Sequence, residues 1–423
     1  MSGLRLRLDR LTGAPPATFW WLWGGSFVSA LATFVLPFLT LYLGSLGYGV
    51  EAAGRVGALY GVGMLAASPL AGSLADRLGR RPTMMGALTA TAIATSLLAA
   101  AASPLAVAGA VLLVGASAAA YRSASQALIA DVVPPGGRTR AYGMLRWGNN
   151  LGLAVSSVLG GALAAWGYRK LFLVDAGTTL AFALLVGARV PETRPAHPPR
   201  RAGEPAPSGG GTPLRDGAFL ALVALQLGFI LPLWQFQVAL PAAMAAQGHG
   251  PAVFGRVLAV NGVLITLLQP SLAAWAAQRD AARVLASGAL LVGLGYGAYA
   301  LCHRAPAFAL ATGVWSLGEI VFMPTVAATV ASLSPEPLRG RYQGVWTLAI
   351  GLGVVASPAA GPALMARRGP PALWGACLLT GLAAAAGLLA LGPALRRRGC
   401  GAAAGAARAR AGGVGPAGPR PGG

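Results

Sequence analysis

The sequence GSLADRLGRR at residues 72–81 separates two long apolar runs, and it is the stretch from which the fold is most directly inferred. Its glycines permit a tight turn between two helix ends, and its charged side chains are one aspartate and three arginines. The apolar runs on either side, near residues 53–74 and 83–102, each have roughly the 20 residues that a bilayer crossing requires. A charged turn between two helices of this length predicts a chain that crosses a membrane more than once.

The composition of the whole chain agrees with a membrane protein. Of 423 residues, 56% are hydrophobic and 10% are charged, whereas a typical soluble domain is about 25% charged. There are too few charged side chains to cover a soluble surface of this size. The composition therefore excludes a soluble globular protein, a disulfide scaffold and a mostly disordered chain.

Apolar segments bounded by Gly, Pro and Arg predict an all-α fold of twelve transmembrane helices in two six-helix bundles. The N-terminal bundle is expected over residues 1–188 and the C-terminal bundle over residues 217–395. Residues 189–216 are rich in Pro, Gly and Ser and are predicted to form a flexible linker. Residues 396–423 are basic and of low complexity, which favours a disordered tail. The expected helices lie near residues 17–42, 53–74, 83–102, 105–130, 142–165, 170–188, 217–244, 253–276, 284–303, 306–331, 343–366 and 371–393.

The distribution of positive charge predicts the orientation of the chain. With both termini and the linker inside, the cytoplasmic segments carry 23 of the Arg and Lys residues and the outer loops carry 5, including Arg304. This asymmetry follows the positive-inside rule and predicts a multi-pass protein of the cell membrane. The same distribution explains the net charge of +21 without a nucleic-acid partner. The Cys and His residues have no metal-binding spacing, so no metal or other cofactor is expected.

An internal repeat with an offset of 201 residues relates the two halves. Gly54-Arg55-Val56 matches Gly255-Arg256-Val257, and Gly160 matches Gly361. Two helical bundles related by such a repeat, with a binding site between them, are an architecture of secondary transporters.

The turn at residues 72–81 resembles the signature loop of the major facilitator superfamily, G-x-L-A-D-R-x-G-R-[KR], at every specified position. The resemblance implies that Asp76 caps a helix of the other half, and that Arg80 pairs with an acid ending the fourth helix, here Asp131. Such a cluster would hold the cytoplasmic side closed in the outward-open state. The residues predicted to form this conformational gate are Gly72, Asp76, Arg77, Gly79, Arg80, Arg81 and Asp131.

The fifth helix resembles the antiporter motif G-x-x-x-G-P-x-x-G-G of the same superfamily, with Ser156 and Ser157 in place of the central Gly-Pro. Its repeat mate in the eleventh helix keeps the proline. Small residues at these spacings allow close helix packing, and a proline allows a bend. The residues assigned to helix packing are Gly152, Gly160, Gly161, Gly353, Pro358 and Gly361.

Glu319 is the acidic residue that the expected helix boundaries place nearest the bilayer centre. Ionisable residues at that depth are functional by default, so Glu319 is predicted to couple transport to protons. Arg122 is its candidate counter-charge. Asp175 is the second candidate for coupling, although its position beside Arg169 and Lys170 favours an interfacial ion pair. The residues predicted to line the substrate cavity are Tyr121, Arg122, Gln126, Gln226, Trp234, Gln237 and Trp315.

These features favour a secondary transporter that works by alternating access, with proton-coupled export of drug-like or amphipathic molecules as the first hypothesis. Its partners would be a small-molecule substrate, protons and the lipid bilayer, and a monomer is expected. Uptake or uniport of a metabolite such as a sugar is the alternative. A non-transporting sensor and a membrane-embedded enzyme are more distant, since no cluster of catalytic acids and histidines lies at one membrane face. The chain is therefore not expected to be an enzyme.

Overall fold

The computed structural model describes residues 16–101, 103–134, 137–193, 213–335 and 338–412, and these ranges are helical throughout apart from short turns. The N-terminal half is formed by α1 (Ala17–Leu31), α2 (Val35–Ser45), α3 (Val50–Leu78), α4 (Arg80–Ala100), α5 (Pro104–Val132), α6 (Arg138–Ala165) and α7 (Tyr168–Arg189). The C-terminal half is formed by α8 (Gly217–Leu233), α9 (Ala239–Ala246), α10 (Pro251–Ala277), α11 (Ala281–Ala298), α12 (Ala305–Leu333), α13 (Arg339–Arg368) and α14 (Pro370–Gly412).

Eleven helical stretches in the described residues are long and apolar enough to cross a membrane, with α1 and α2 forming one stretch. The remaining long helix, α6, has 28 residues, but Arg146, Asn149 and Asn150 lower its apolar character. The eight-residue α9 continues the segment that begins with α8. Counting α6, the chain forms two bundles of six membrane-length segments. The predicted all-α fold of two six-helix bundles is confirmed.

The first segment of each half is broken, at residues 32–34 and at residues 234–237, and the two breaks overlap under the 201-residue offset. The sequence analysis predicted continuous helices there and was wrong. Pro37 and Pro241 explain the breaks, since a proline clashes with the carbonyl four residues before it. Two repeat-related serines then bind the freed backbone groups. Ser156 Oγ donates to the carbonyl of Thr33 (3.1 Å), and Ser357 Oγ donates to the carbonyl of Leu231 (2.7 Å).

Two pairs of glycines bring the halves together, and the pairs are related by the repeat. A Cβ at Gly54 would overlap the carbonyl oxygen of Pro358, and a Cβ at Gly255 would overlap that of Ser157. Likewise, Gly61 lies against Val355 and Gly262 lies against Ala154. Glycine is required here because the backbones of α3 and α13, and of α6 and α10, approach too closely for a side chain.

We call the end of the molecule that carries residues 72–81 the loop end, and the other end the opposite end. The glycine contacts lie toward the opposite end. Farther toward the loop end, Pro69 on α3 and Leu348 on α13 are exposed. At the interface between α6 and α10, Trp147 and Leu267 are likewise 43% and 67% exposed. The halves therefore contact each other at the opposite end and diverge at the loop end.

Substituting Gly255→Ala should open the opposite end, because the added methyl group cannot occupy the space held by the Ser157 carbonyl. Ser45 and His249 line a pocket at that end. The distance between spin labels at these two positions, measured by double electron–electron resonance, should increase. Gly109→Ala is the matched control, since no atom lies within 4 Å of a Cβ built there. An unchanged distance in the Gly255 variant would contradict the packing argument.

The structure describes parts of the expected linker and of the expected tail. Residues 191–193 follow α7 and contact the gate loop through hydrogen bonds, so the start of the expected linker is fixed in place. Residues 194–212 of that linker lie outside the described residues. The last helix continues to Gly412, so residues 396–412 of the expected disordered tail are helical, and residues 413–423 of it lie outside the described residues. Its alanine-rich sequence explains the helix, because alanine has the highest helix propensity.

Candidate functional site

Arg80 is the centre of the gate loop. Helix α3 ends at Leu78, Gly79 turns the chain with a positive φ of 108°, and α4 begins at Arg80. The guanidinium is buried and donates from Nη1 to Asp76 Oδ1 (2.7 Å) and from Nε to Asp131 Oδ2 (3.1 Å). Nη1 also donates to the carbonyl of Ala75 (2.9 Å). One buried cation therefore ties α3, α4 and the end of α5 into a single unit within the N-terminal half.

Glu192 completes this unit, and the sequence analysis missed it. Its carboxylate accepts the backbone N–H groups of Arg80 (2.8 Å) and Arg81 (3.1 Å), so it caps the first turn of α4. The neighbouring Thr193 hydroxyl donates to Asp131 Oδ2 (2.9 Å). A Cβ at Gly79 would collide with the Glu192 carboxylate. The signal in the sequence was an isolated acid, Pro191-Glu192-Thr193, directly after a transmembrane helix.

Asp76 differs from the role that the resemblance implies. Its side chain is 43% exposed, and among the described residues its hydrogen-bond partner is Arg80 rather than a group of the other half. Among the described residues, no hydrogen bond joins Asp76 to a helix of the C-terminal half, which agrees with the divergence of the halves at the loop end. The Arg80–Asp131 pair is nevertheless formed, so this pair does not depend on closure of the loop end. Of the other gate residues, Arg77 is exposed, Gly72 is half-buried, and Arg81 Nη2 donates to the carbonyl of Gly187.

A cavity of about 340 Å³ lies inside the N-terminal half, next to the break between α1 and α2. Its polar wall residues are Ser26, Ser29, Thr33, Thr91, Thr95, Asn149, Asn150, Asp175 and Thr179, and its aromatic wall residues are Tyr60, Tyr121 and Phe182. Tyr121 shares a 2.6 Å hydrogen bond with Ser26 and packs edge-on against Phe182. The cavity thus offers hydroxyl and amide groups, aromatic faces and one carboxylate.

Asp175 lies in the wall of this cavity and is 5% exposed. Its Oδ2 accepts the backbone N–H of Phe34 (2.9 Å), which the break in the first segment leaves without a helical partner. The expectation of an interfacial ion pair with Arg169 and Lys170 is wrong, since both basic side chains are exposed and Asp175 points inward. The sequence analysis placed Asp175 by its distance from the helix end, and it did not foresee the break that faces it.

Glu319 lies halfway along α12 and has a hydrogen-bond partner in α10. Its Oε2 accepts a hydrogen bond from Asn261 Nδ2 (2.9 Å), which also donates to Ser316 Oγ (3.0 Å). The cation that acts on it electrostatically is Arg146 of the other half. The predicted counter-charge was Arg122, which instead acts on Tyr60. Glu319 is therefore part of a polar group at the interface between the halves.

Three of the predicted substrate residues lie in the expected fourth helix, which is α5 in the structure, and their environments differ. Tyr121 lines the cavity of the N-terminal half. Arg122 and Gln126 are exposed, and the carbonyl of Gln126 accepts the Tyr142 hydroxyl (2.9 Å).

Two of the four substrate residues predicted in the C-terminal half are part of its packed interior. Trp315 is 1% exposed and donates from Nε1 to the Tyr299 hydroxyl (2.7 Å). Gln226 is 2% exposed and accepts from Trp346 Nε1 (2.6 Å). Gln237 lies at the end of the break in the seventh segment, so it is not part of the helix that carries Gln226. Trp234 is half-buried in the same break.

The residues assigned to helix packing all lie at close contacts, whether within one half or between the halves. A Cβ at Gly161 or at Gly361 would overlap Pro251 or Gln235 respectively. The neighbours that such a Cβ would meet are Ala30 for Gly152, Phe38 for Gly160 and Ile230 for Gly353, whereas Pro358 is itself the partner of Gly54.

Two groups of relatives have sequences similar to this chain. The Na(+), Li(+), K(+)/H(+) antiporter of Planococcus maritimus is 26% identical over 367 residues, which cover 79% of this chain and 86% of that relative. The multidrug resistance protein MdtH of Aeromonas hydrophila subsp. hydrophila is 26% identical over 355 residues, covering 82% of this chain and 87% of that protein. Both relatives are matched over most of their length.

The fold is similar to that of solved transporters. The crystal structure of a peptide transporter, POT, in complex with sulfate superposes with a TM-score of 0.76 at 17% sequence identity. The superposition covers 90% of this chain and 96% of that one. The family model described as Major Facilitator Superfamily matches residues 22–237 and, separately, residues 217–411. With both halves matched, the chain belongs to the major facilitator superfamily, whose members are secondary transporters.

Proposed function

We propose that this protein exports small amphipathic molecules across the cell membrane in exchange for protons. The observation that carries the proposal is the position of Glu319, a carboxylate in the middle of a transmembrane helix with Arg146 of the other half nearby. A carboxylate in such a position can load a proton from one side and release it to the other as the halves move. The similarity to the relatives named for multidrug resistance and for proton antiport supports this coupling.

The conformational change that this function requires is alternating access between the loop end and the opposite end. In the structure the loop end is open, so closure must bring the gate loop against the C-terminal half. We propose that Asp76 then leaves solvent and caps a helix of the other half, as the resemblance to the superfamily implies. We assign this helix as α13, because α13 packs against α3, which carries Asp76. Arg80, Asp131 and Glu192 keep the loop rigid through the movement, because their hydrogen bonds lie within one half.

A flux assay with ethidium as the probe tests the function. Purified full-length protein in proteoliposomes, with the membrane potential held at zero, should accumulate ethidium when a pH gradient is imposed. Collapsing the gradient with a protonophore should release the accumulated dye. Liposomes without protein supply the background, and equal dye movement in both preparations, or movement indifferent to pH, would contradict proton-coupled export.

Exchange of an inorganic monovalent cation for protons is a second candidate, favoured by the similarity to the Na(+), Li(+), K(+)/H(+) antiporter. The hydroxyl groups and the carboxylate of the N-terminal cavity are oxygen ligands of the kind such cations use. Addition of NaCl or KCl to acid-loaded vesicles distinguishes the candidates, since only cation exchange would raise the internal pH under these conditions.

The loop end is expected to face the cytoplasm, because the charge distribution places 23 Arg and Lys residues there and 5 at the other end. In a cysteine-free background, Arg304→Cys should be labelled on intact cells by a membrane-impermeant maleimide, since Arg304 is exposed before α12. Ser208→Cys in the linker should be labelled only after the cells are permeabilised. The reverse pattern would mean that the topology is inverted.

A further inference from the structure

The N-terminal cavity contains a carboxylate that has no cationic partner in the part of the chain that the structure describes. Of the described residues that line it, Asp175 is acidic and none is basic. The Asp175 side chain is 5% exposed. It accepts from Phe34 N–H (2.9 Å) and, over a long 3.4 Å, from the Thr179 hydroxyl, and the backbone N–H of Val35 also interacts with it. A carboxylate has about four acceptor sites, so part of this capacity remains for a ligand. A buried charge without a cation is costly, and a cationic ligand would remove that cost.

Thr95 gives a second, independent indication of a ligand. Its side chain is 0% exposed and lines the same cavity, yet its Oγ1 has no hydrogen-bond partner among the described residues. Buried hydroxyl groups are almost always hydrogen-bonded. An unpaired hydroxyl at the wall of a cavity therefore indicates a polar group that the ligand supplies.

The remaining wall and the size of the cavity define the kind of cation. Tyr60, Tyr121 and Phe182 present aromatic rings, and aromatic faces attract ammonium groups. A volume of about 340 Å³ falls within the range typical of small-molecule sites and far exceeds a bare metal ion. In addition, the described residues contain no group of three or more His, Cys, Asp or Glu side chains that could hold a metal. An organic ammonium fits these features better than an inorganic ion.

We propose that this cavity binds the protonated amino group of a small aromatic amine, with Asp175 as its anionic partner and Thr95 as an acceptor for one ammonium N–H. The proposal rests on the transport function above and deepens it by naming the substrate class. It also assigns substrate binding to the N-terminal half, whereas proton coupling at Glu319 belongs to the interface between the halves. The two roles therefore lie on different residues and can be tested separately.

Calorimetric titration of the purified full-length protein at pH 7 tests the proposal with three matched pairs of probes. Tryptamine, tyramine and 2-phenylethylamine are cations at this pH, and tryptophol, tyrosol and 2-phenylethanol are neutral molecules with a hydroxyl group in place of the amino group. Because hydrogen bonds to charged groups are the stronger ones, each amine should bind roughly tenfold or more tightly than its alcohol. Asp175→Asn should remove this preference and leave the affinity for the alcohols unchanged.

Two further variants keep the test decisive. In Asp175→Asn the side chain retains a carbonyl that can accept the Phe34 N–H, so the break between α1 and α2 should persist. If this variant does not fold, Thr95→Val provides the test instead. That substitution has nearly the same shape and should weaken the amines about threefold without affecting the alcohols. Asp280→Asn removes a carboxylate that caps α11 outside the cavity, and it should bind all six probes as the unmodified protein does.

Equal affinities within each pair would overturn the proposal, as would a preference for amines that survives Asp175→Asn, or a folded protein that binds none of the six probes. The transport function fails in a different way. Amine binding that depends on Asp175, without pH-driven flux of tryptamine or ethidium, would leave the binding site standing and refute proton-coupled export. Conversely, pH-driven ethidium flux without any preference for amines would refute the substrate class alone.

Discussion

Glu319→Gln should abolish the accumulation of ethidium that a pH gradient drives into proteoliposomes. A gradient of one pH unit is worth about 1.4 kcal/mol per proton, so a fully coupled carrier can sustain about a tenfold substrate gradient. A glutamine cannot load a proton, and the internal and external concentrations should therefore become equal. Its side-chain oxygen can still accept the hydrogen bond from Asn261, which is 2.9 Å from the carboxylate. The variant should fold and should still exchange labelled for unlabelled ethidium.

Glu51→Gln is the matched control, because it makes the same substitution at an exposed site. Glu51 lies near the start of α3 and pairs with Arg55 (3.2 Å), a surface ion pair expected to contribute little. Its pH-driven accumulation should equal that of the unmodified protein. Normal accumulation in the Glu319 variant would refute the coupling role and transfer it to Asp175, the other carboxylate inside a transmembrane segment that the sequence analysis considered for it.

The architecture could be predicted from sequence because its signals are strong and local. Apolar runs of membrane length fixed the number of segments, and the 201-residue repeat indicated two related halves. The same repeat placed Gly54 and Gly255 in equivalent positions, and in the structure each lies against a backbone carbonyl of the other half. Pairing of Arg80 with Asp131 is also formed (3.1 Å), although its role in gating stays a prediction.

Features that depend on contacts between distant segments could not be predicted in this way. Whether Asp175 faces lipid, water or the protein interior depends on the break between α1 and α2, 141 residues earlier in the chain, where it accepts the Phe34 N–H. The break itself follows from Pro37, but its partner does not. Trp315 was predicted to line a cavity but lies in the packed core. Aromatic residues suit both environments equally well, so the sequence alone does not distinguish them. The hydrogen bond of Trp315 to Tyr299 is visible only in the folded protein.

Asp76→Asn should slow transport by about tenfold while leaving the fold largely unaffected. In the structure Asp76 is 43% exposed and pairs with Arg80, so the loss of that pair should cost less than about 1 kcal/mol. Arg80 keeps its second partner, Asp131. The larger loss is expected in the conformation with the loop end closed, where the Asp76 charge would interact with the N-terminus of α13. Such an interaction is worth about 1 kcal/mol or more when partly buried, and 1.4 kcal/mol shifts a conformational equilibrium tenfold.

The distance between spin labels at Ser73 and Thr347 reports this equilibrium, because both positions are exposed near the loop end, on α3 and α13. The unmodified protein should show a short and a long distance, and Asp76→Asn should populate the long distance at the expense of the short one. Asp280→Asn is the control at the same end of the C-terminal half, since asparagine caps a helix about as well as aspartate and α11 should be retained. A wild-type transport rate together with an unshifted distance distribution in the Asp76 variant would refute the gate. Slower transport without a shift would separate Asp76 from the conformational equilibrium and leave it a role only in the rate of exchange between the two states.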